Sequence, residues 1–324
     1  MYNMNFKDLT IKEAREILTD REEKRLSVNL GNLHPNFGNG LNCFIVENLE
    51  TKFSDPALAS FLQILEIPMK LSRKLSYKPK MLRNIISFLI AEDKKHALLL
   101  SFDSEMKTVN HITEKPLLSH LRLFENCLLS LPLNQMTINM KLKEELIEIR
   151  FITGISSTPP TRKGDVLRTG VLVIAKRSSI VLGEFIFRMV CANGLIGESS
   201  DIMFHFRDNG ESKVIQELSR TIGVVFENTK ETLLPAFIET DKIPVDKPAQ
   251  RVHRFIHEHH LPPKIESELL DRIPSLPEKS TYFDLINLFT EYARDKDNPR
   301  FENFGFNLIN ESITHRCSLC EQIL

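Results

Sequence analysis

The stretch VLRTGVLVIAKRSSIVLGEFIFRMVCANGLI, residues 166–196, decides how this chain is read. It holds two β-branched, apolar runs, 166–176 and 182–191, separated by the polar Lys176-Arg177-Ser178-Ser179. Runs of this length rich in Val and Ile, bounded by turn residues, predict strands. Asn193-Gly194 then sits between two apolar runs. Both residues tolerate positive φ, so the pair predicts a tight hairpin turn. Alternation gives each strand two faces. In 182–191, Phe185, Phe187, Met189 and Cys191 point one way and are expected in the core. Glu184, Ile186, Arg188 and Val190 point the other, onto a less covered face.

Working outward, MTINMKLKEELIEIRFIT (136–153) predicts two strands around Lys143-Glu144, and DIMFHF (201–206) a fifth after the Asn-Gly turn. Short connections imply an antiparallel meander, because parallel pairing needs a long crossover. The exception is the polar loop GISSTPPTRKGD (154–165), with Arg162-Lys163 at its tip. In 146–153, Ile147, Ile149 and Phe151 oppose Glu148 and Arg150, so Arg150 and Arg188 are expected to share the less buried face.

Helices flank the strands. Thr10-Ile11-Lys12-Glu13 has the form of a capping box, opening a helix to about residue 24. Residues 26–46 read as extended and loop-rich, followed by helices near 56–66 and 80–92. In the second of these, Met81, Ile85, Phe88 and Leu89 form the expected apolar stripe. Residues 96–103 and 107–113 predict a hairpin, and 116–130 a helix. Beyond the meander, 212–233 places Ile215, Leu218, Ile222 and Val225 at spacings of three and four. Shorter helices follow at 247–260, 262–273 and 281–295, and a last one starts near Pro299. The expected fold class is α+β: an antiparallel β-meander backed by a long helix, with helical N- and C-terminal regions. The corresponding division is 1–133, a helical region with a β-hairpin; 134–240, the sheet and long helix; and 241–324, a helical region.

Composition narrows the function classes. Of 324 residues, 42% are hydrophobic and 26% charged, enough to bury a sizeable core. Lys and Arg number 42 against 43 Asp and Glu, so any affinity for nucleic acid must come from a local patch. Five cysteines, an odd number, argue against a secreted disulfide framework. The charged start predicts no signal peptide, and no stretch is apolar enough to span a bilayer. A cytoplasmic protein without membrane attachment is expected.

The local patch is 161–190, where Arg162, Lys163, Arg168, Lys176, Arg177 and Arg188 face only Asp165 and Glu184, a net charge of +4. Basic loops at the rim of a sheet suit phosphate-backbone contact, with the Ser178 and Ser179 hydroxyls as extra donors. The expected nucleic-acid-binding set is Arg150, Arg162, Lys163, Arg168, Lys176, Arg177, Ser178 and Arg188. The alternative for Arg188 is an ion pair with Glu184 or Glu148 on a solvated face.

Residues 163–196, followed much later by TYFDLINLFTEYARD (281–295), resemble the phage/plasmid-like protein family of unknown function. The shared positions are Asp165; Ser179 and Gly183; Arg188, Cys191, Asn193 and Gly194; and Thr281, Asp284, Asn287, Thr290 and Ala293. They cover roughly the C-terminal half. The resemblance implies no settled activity. Its meander and long helix are similar to the core of phage single-strand annealing proteins, which implies single-stranded DNA as partner and a homo-oligomeric ring or filament.

His253 and His257 are spaced i, i+4 and could share a metal, but RVHRFIHEHH reads first as a solvated helix end whose imidazolium groups meet the dipole favourably. One Cys317-x-x-Cys320 after His315 lacks the second pair a closed zinc site needs. No phosphate-binding glycine loop, nucleophile elbow or paired carboxylates at strand ends is present. The expectation is a non-catalytic DNA-annealing protein with no cofactor and no metal. The alternatives are a protein-binding accessory or host-interaction factor, and a hydrolase or nuclease without a recognisable motif.

Overall fold

The computed structural model describes residues 4–36, 42–47, 49–68, 70–71, 74, 78–93, 96–103, 105–114, 118–143, 146–160, 162, 164–176, 179–188, 193–197, 203–205, 211–258 and 260–295. Along the chain come β1 (Met4–Leu9), α1 (Ile11–Glu23), β2 (Arg25–Asn29), β3 (Leu33–Pro35), β4 (Cys43–Val46), β5 (Leu49–Phe53), α2 (Asp55–Ile64), α3 (Pro79–Glu92), β6 (Ala97–Phe102), β7 (Thr108–Glu114) and α4 (His120–Leu128). The second half adds β8 (Thr137–Leu142), β9 (Ile147–Ser157), β10 (Leu167–Ala175), β11 (Ser179–Arg188), β12 (Asn193–Gly197), β13 (Met203–His205) and α5 (Glu211–Asn228). The helices α6 (Leu234–Glu239), α7 (Pro248–Glu258), α8 (Pro263–Leu270) and α9 (Tyr282–Asp295) complete it. The fold class is α+β, as the sequence implies. Among the described residues no helix is long and apolar enough to cross a membrane.

The expected meander is the larger sheet, in the order β1-β8-β9-β10-β11-β12, with β13 paired to β11. Its edge strand β1 comes from the extreme N-terminal part of the chain and pairs antiparallel with β8. The remaining N-terminal strands form a second sheet, β2-β6-β7-β5-β4-β3, in which the expected hairpin β6-β7 lies next to β5 in a parallel pairing. The N-terminal third therefore carries a sheet of its own besides its helices and hairpin. The capping box on α1 is present in both directions, Thr10 to Glu13 and back.

One face of the larger sheet is sealed by α1, α4 and α5. Ile138, Met140, Ile149, Phe151, Val171, Val173 and Leu182 pack there against Leu18, Phe124, Leu218 and Ile222. At the far end of the same face Leu167 and Ile186 join a second core built from α6 to α9, with Phe237, Phe255, Phe283 and Phe289. The smaller sheet has its own core with α2 and α3. The expected apolar stripe of α3 holds in part: Ile85 and Leu89 pack partly buried against this core, beside a neighbouring line that is buried outright. Leu82, Ile86 and Ile90 are buried, while Met81 and Phe88 are exposed. Each line fits the helical period, and contact with the sheet decides between them.

Two expectations on β11 are corrected. Leu182, Glu184, Ile186 and Arg188 share one face, and Leu182 and Ile186 place it under the helices. Phe185, fully buried as expected, and the partly buried Phe187 take the opposite face, in a small core of their own with Ile152, Leu172 and Ile174. Arg150 pairs with Leu172, which pairs with Gly183. Arg150 therefore lies on the Phe185 face, and Arg150 and Arg188 point to opposite sides. The second correction concerns Asn193 and Gly194. They belong to β12, opposite Arg188 and Phe187, rather than to a turn. Residues 189–192, Cys191 included, the expected helix near Pro299 and Cys317-x-x-Cys320 lie outside the described residues.

Candidate nucleic-acid interface

Arg188 is held by a carboxylate. Its Nε donates to both Asp165 oxygens, at 2.8 and 2.7 Å, and Nη2 lies 2.6 Å from Oδ2. Arg162 does the same with two partners: Nε donates to Asp241 at 3.0 Å and Nη2 to Asp284 at 2.8 Å. Both guanidinium carbons stand 5.4 Å from the centre of the Phe283 ring. All three carboxylates and Phe283 are buried. Burial works against the Arg162 charge, but the hydrogen bonds to Asp241 and Asp284 outweigh it, and its pKa is raised. Asp284 also accepts from the amide and hydroxyl of Thr281, so one side chain caps α9 and anchors Arg162. Asp165, Arg188, Thr281 and Asp284, singled out above by the resemblance, thus meet in one network. It ties the rim of the larger sheet to the C-terminal helices.

The other expected contacts are distributed differently. Arg150 donates to Glu148 at 3.0 Å and stacks on Phe185, and Lys141 approaches the same carboxylate at 3.8 Å. Arg168 shares that face, and its buried Nε has no hydrogen-bond partner among the described residues. Lys176 is exposed at the end of β10. Lys163, Arg177 and Ser178 lie outside the described residues. Of the eight expected residues, Arg150, Arg162 and Arg188 are committed to carboxylates, because a guanidinium taken out of water must be paired. They do not form one open basic surface.

Positive charge converges elsewhere. A half-open cavity of about 440 Å³ lies between the two sheets. Arg25, Ser101 and His111 stand opposite one another across β2, β6 and β7, so all three leave the same face of the smaller sheet. The C-terminal turns of α1 bring Arg21 and Lys24 to it. The edge of the larger sheet supplies Met4, Phe6 and Leu142, an apolar wall continued by Ile17 and Phe102. Two carboxylates, Glu16 and Asp20, also line it, and Asp20 pairs with Lys24 at 2.8 Å. Arg21 donates to the Lys143 carbonyl.

A buried histidine registers this charge. His120, first residue of α4, has a pKa well below the usual histidine value. Burial is the main cause, and the charges of Arg21 and Arg25 add to it. Sequence reading missed Arg21, Lys24 and Arg25 because TDREEKR alternates in sign and has no net excess. Only the fold brings Arg21, Lys24 and Arg25, with Asp20 from the same stretch, to one cavity.

Two cysteines fall among the described residues. Cys43 and Cys127 are buried and unbridged, and burial pushes the Cys127 thiol up, away from the thiolate.

In comparisons with known proteins, the chain matches no family model, no curated protein and no solved structure.

Proposed function

We propose that the chain is a non-catalytic single-stranded DNA-binding protein of the annealing type, acting as a homo-oligomer, and that it seats the strand at the cavity between its two sheets. The observation that carries this reading is the convergence of Arg21, Lys24 and Arg25 on a concave surface with an apolar wall. Basic side chains supply sequence-independent affinity for phosphate. A cleft of low polarity behind them strengthens that attraction, since less water screens it. The wall of Phe6, Phe102 and Met4 offers apolar contact to a base. Arg162 and Arg188 have a structural part instead, closing the C-terminal layer onto the sheet. The phage/plasmid-like resemblance and its annealing analogy lead the same way, although a fold by itself does not fix a function.

The test is binding of a fluorescent oligothymidylate as a function of salt. Each phosphate contact contributes about −0.7 to the slope of log K against log salt for a single strand. Arg21→Gln with Arg25→Gln is expected to weaken binding at low salt and to flatten that slope by about 1.4. Lack of binding by the unaltered protein at low salt overturns the proposal. Light scattering with and without the oligonucleotide tests the oligomer.

One observation favours the accessory-factor reading. Leu129, Leu133 and Val224 are each exposed, just after α4 and on α5, and exposed apolar side chains are what a protein partner covers. A partner held there, with no oligonucleotide binding at low salt, would support that reading over the first.

A further inference from the structure

The α7–α8 pair brings together three Lewis bases that the DNA reading does not use. His253 and His257 lie one turn apart on α7, and their rings are 4.4 Å apart between centroids. From α8, the Glu266 carboxylate reaches the His253 ring and is hydrogen-bonded to its Nδ1. One donor atom from each of the three lies within 4.8 Å of the other two. The helices are fixed relative to each other by the core beneath, where Val252, Phe255 and Ile256 pack with Leu269. Neighbouring charges have partners of their own: Arg254 pairs with Glu258, and Glu268 accepts from Tyr292 and faces Lys264.

We propose that His253, His257 and Glu266 bind a divalent transition-metal ion such as Zn2+, with water completing a tetrahedral shell. Two imidazole nitrogens and one carboxylate oxygen are a donor set zinc takes readily, with bonds of about 2.0–2.2 Å. Such bonds set donors roughly 3.3–3.5 Å apart. The histidines are exposed and Glu266 is only partly buried, so side-chain rotation closes the remaining gap without moving either helix. The same exposure gives the ion a path from solvent. A single His–Glu hydrogen bond would need only one imidazole; the second, with a ligand atom within 4.8 Å of both others, is what a cation uses. Bound there, the ion braces α7 against α8 and through them the C-terminal core.

The experiment is a Zn2+ titration by calorimetry on the full chain carrying Cys317→Ser and Cys320→Ser, which removes the competing C-terminal thiolates. One Zn2+ per chain is expected, with a higher melting temperature and no response to Mg2+. His253→Ala, His257→Ala and Glu266→Gln should each weaken Zn2+ binding at least tenfold. Co2+ titrated into the same protein should give the visible absorption of a tetrahedral nitrogen–oxygen site, lost in His253→Ala. Absence of stoichiometric Zn2+ uptake in the serine background overturns the proposal. So does uptake that the two alanine variants leave unchanged. Neither result bears on oligonucleotide binding, since the cavity between the sheets shares no residue with this site.

Discussion

Arg188 at the end of β11 and Asp165 just before β10 form a two-pronged ion pair, with Nε and Nη2 both within 2.8 Å of the carboxylate. Both are largely withdrawn from solvent, the Arg188 side chain to 17% exposure and that of Asp165 to 6%. Removing one partner leaves the other charge buried without that counter-ion. Asp165→Ala is expected to cost about 3–5 kcal/mol, and Arg188→Met with Asp165→Leu much less, because an apolar pair leaves no charge uncompensated. Urea denaturation of the single and double variants measures the difference. A loss equal in both would show that the pair's charge is not what matters there.

Gly170 on β10 has no room for a side chain. A Cβ there would stand 2.4 Å from the Phe151 carbonyl oxygen and 2.8 Å from the Phe185 ring. The backbone atom cannot yield, so Gly170→Ala is expected to destabilise by roughly 1–3 kcal/mol through overpacking. Thermal melting reads this directly, and an unchanged midpoint would contradict the close approach.

Acid sensitivity should trace to His120. Its folded pKa is depressed, first by burial and then by Arg21 and Arg25. Below the ordinary histidine value the unfolded chain takes up a proton that the folded one refuses. Stability from this group is thus complete above about pH 6.5 and falls as the pH drops toward the folded value. His120→Phe should flatten the pH dependence of stability between pH 7 and 5. Arg21→Gln with Arg25→Gln should reduce it in part, by relieving the repulsion.

Glu184 behaves in the reverse sense. Burial raises its pKa, against a hydrogen bond from Asn228 that lowers it. A carboxyl with a raised folded pKa stabilises the fold fully below its unfolded value, and that contribution is lost as the pH rises through the folded value. Glu184→Gln keeps an acceptor for Asn228 without the charge. It is expected to raise the melting temperature at pH 7 by roughly 2–4 °C, the shift that ~1 kcal/mol gives in a sizeable domain, and to leave it unchanged near pH 4. An equal gain at both pH values would place the effect outside ionisation.

Much of the architecture is written locally. The β-branched runs of β8 to β11, the capping box at Thr10 and the i, i+3, i+4 stripe of α5 each specify an element through the backbone geometry its own side chains favour. The candidate site is less legible. Alternation along β11 divides its residues correctly between two faces but does not say which face the helices cover. The Phe185 set looks like core by composition, yet the Glu184 set is the one under α5, because Leu182 and Ile186 carry that side of the strand. For the same reason Arg150 and Arg188 do not meet.

What the sequence determined by itself is the kind and order of most elements, since strand, helix and cap preferences act over a few neighbouring residues. Tertiary structure alone decided which charges pair and which converge. Arg162 meets Asp284 from 122 residues away, and Arg21 and Arg25 share a cavity with His111 from another part of the smaller sheet and its neighbouring helix. Coulomb attraction and the cost of leaving water depend on distance through space and on burial, and neither is encoded at any single position along the chain.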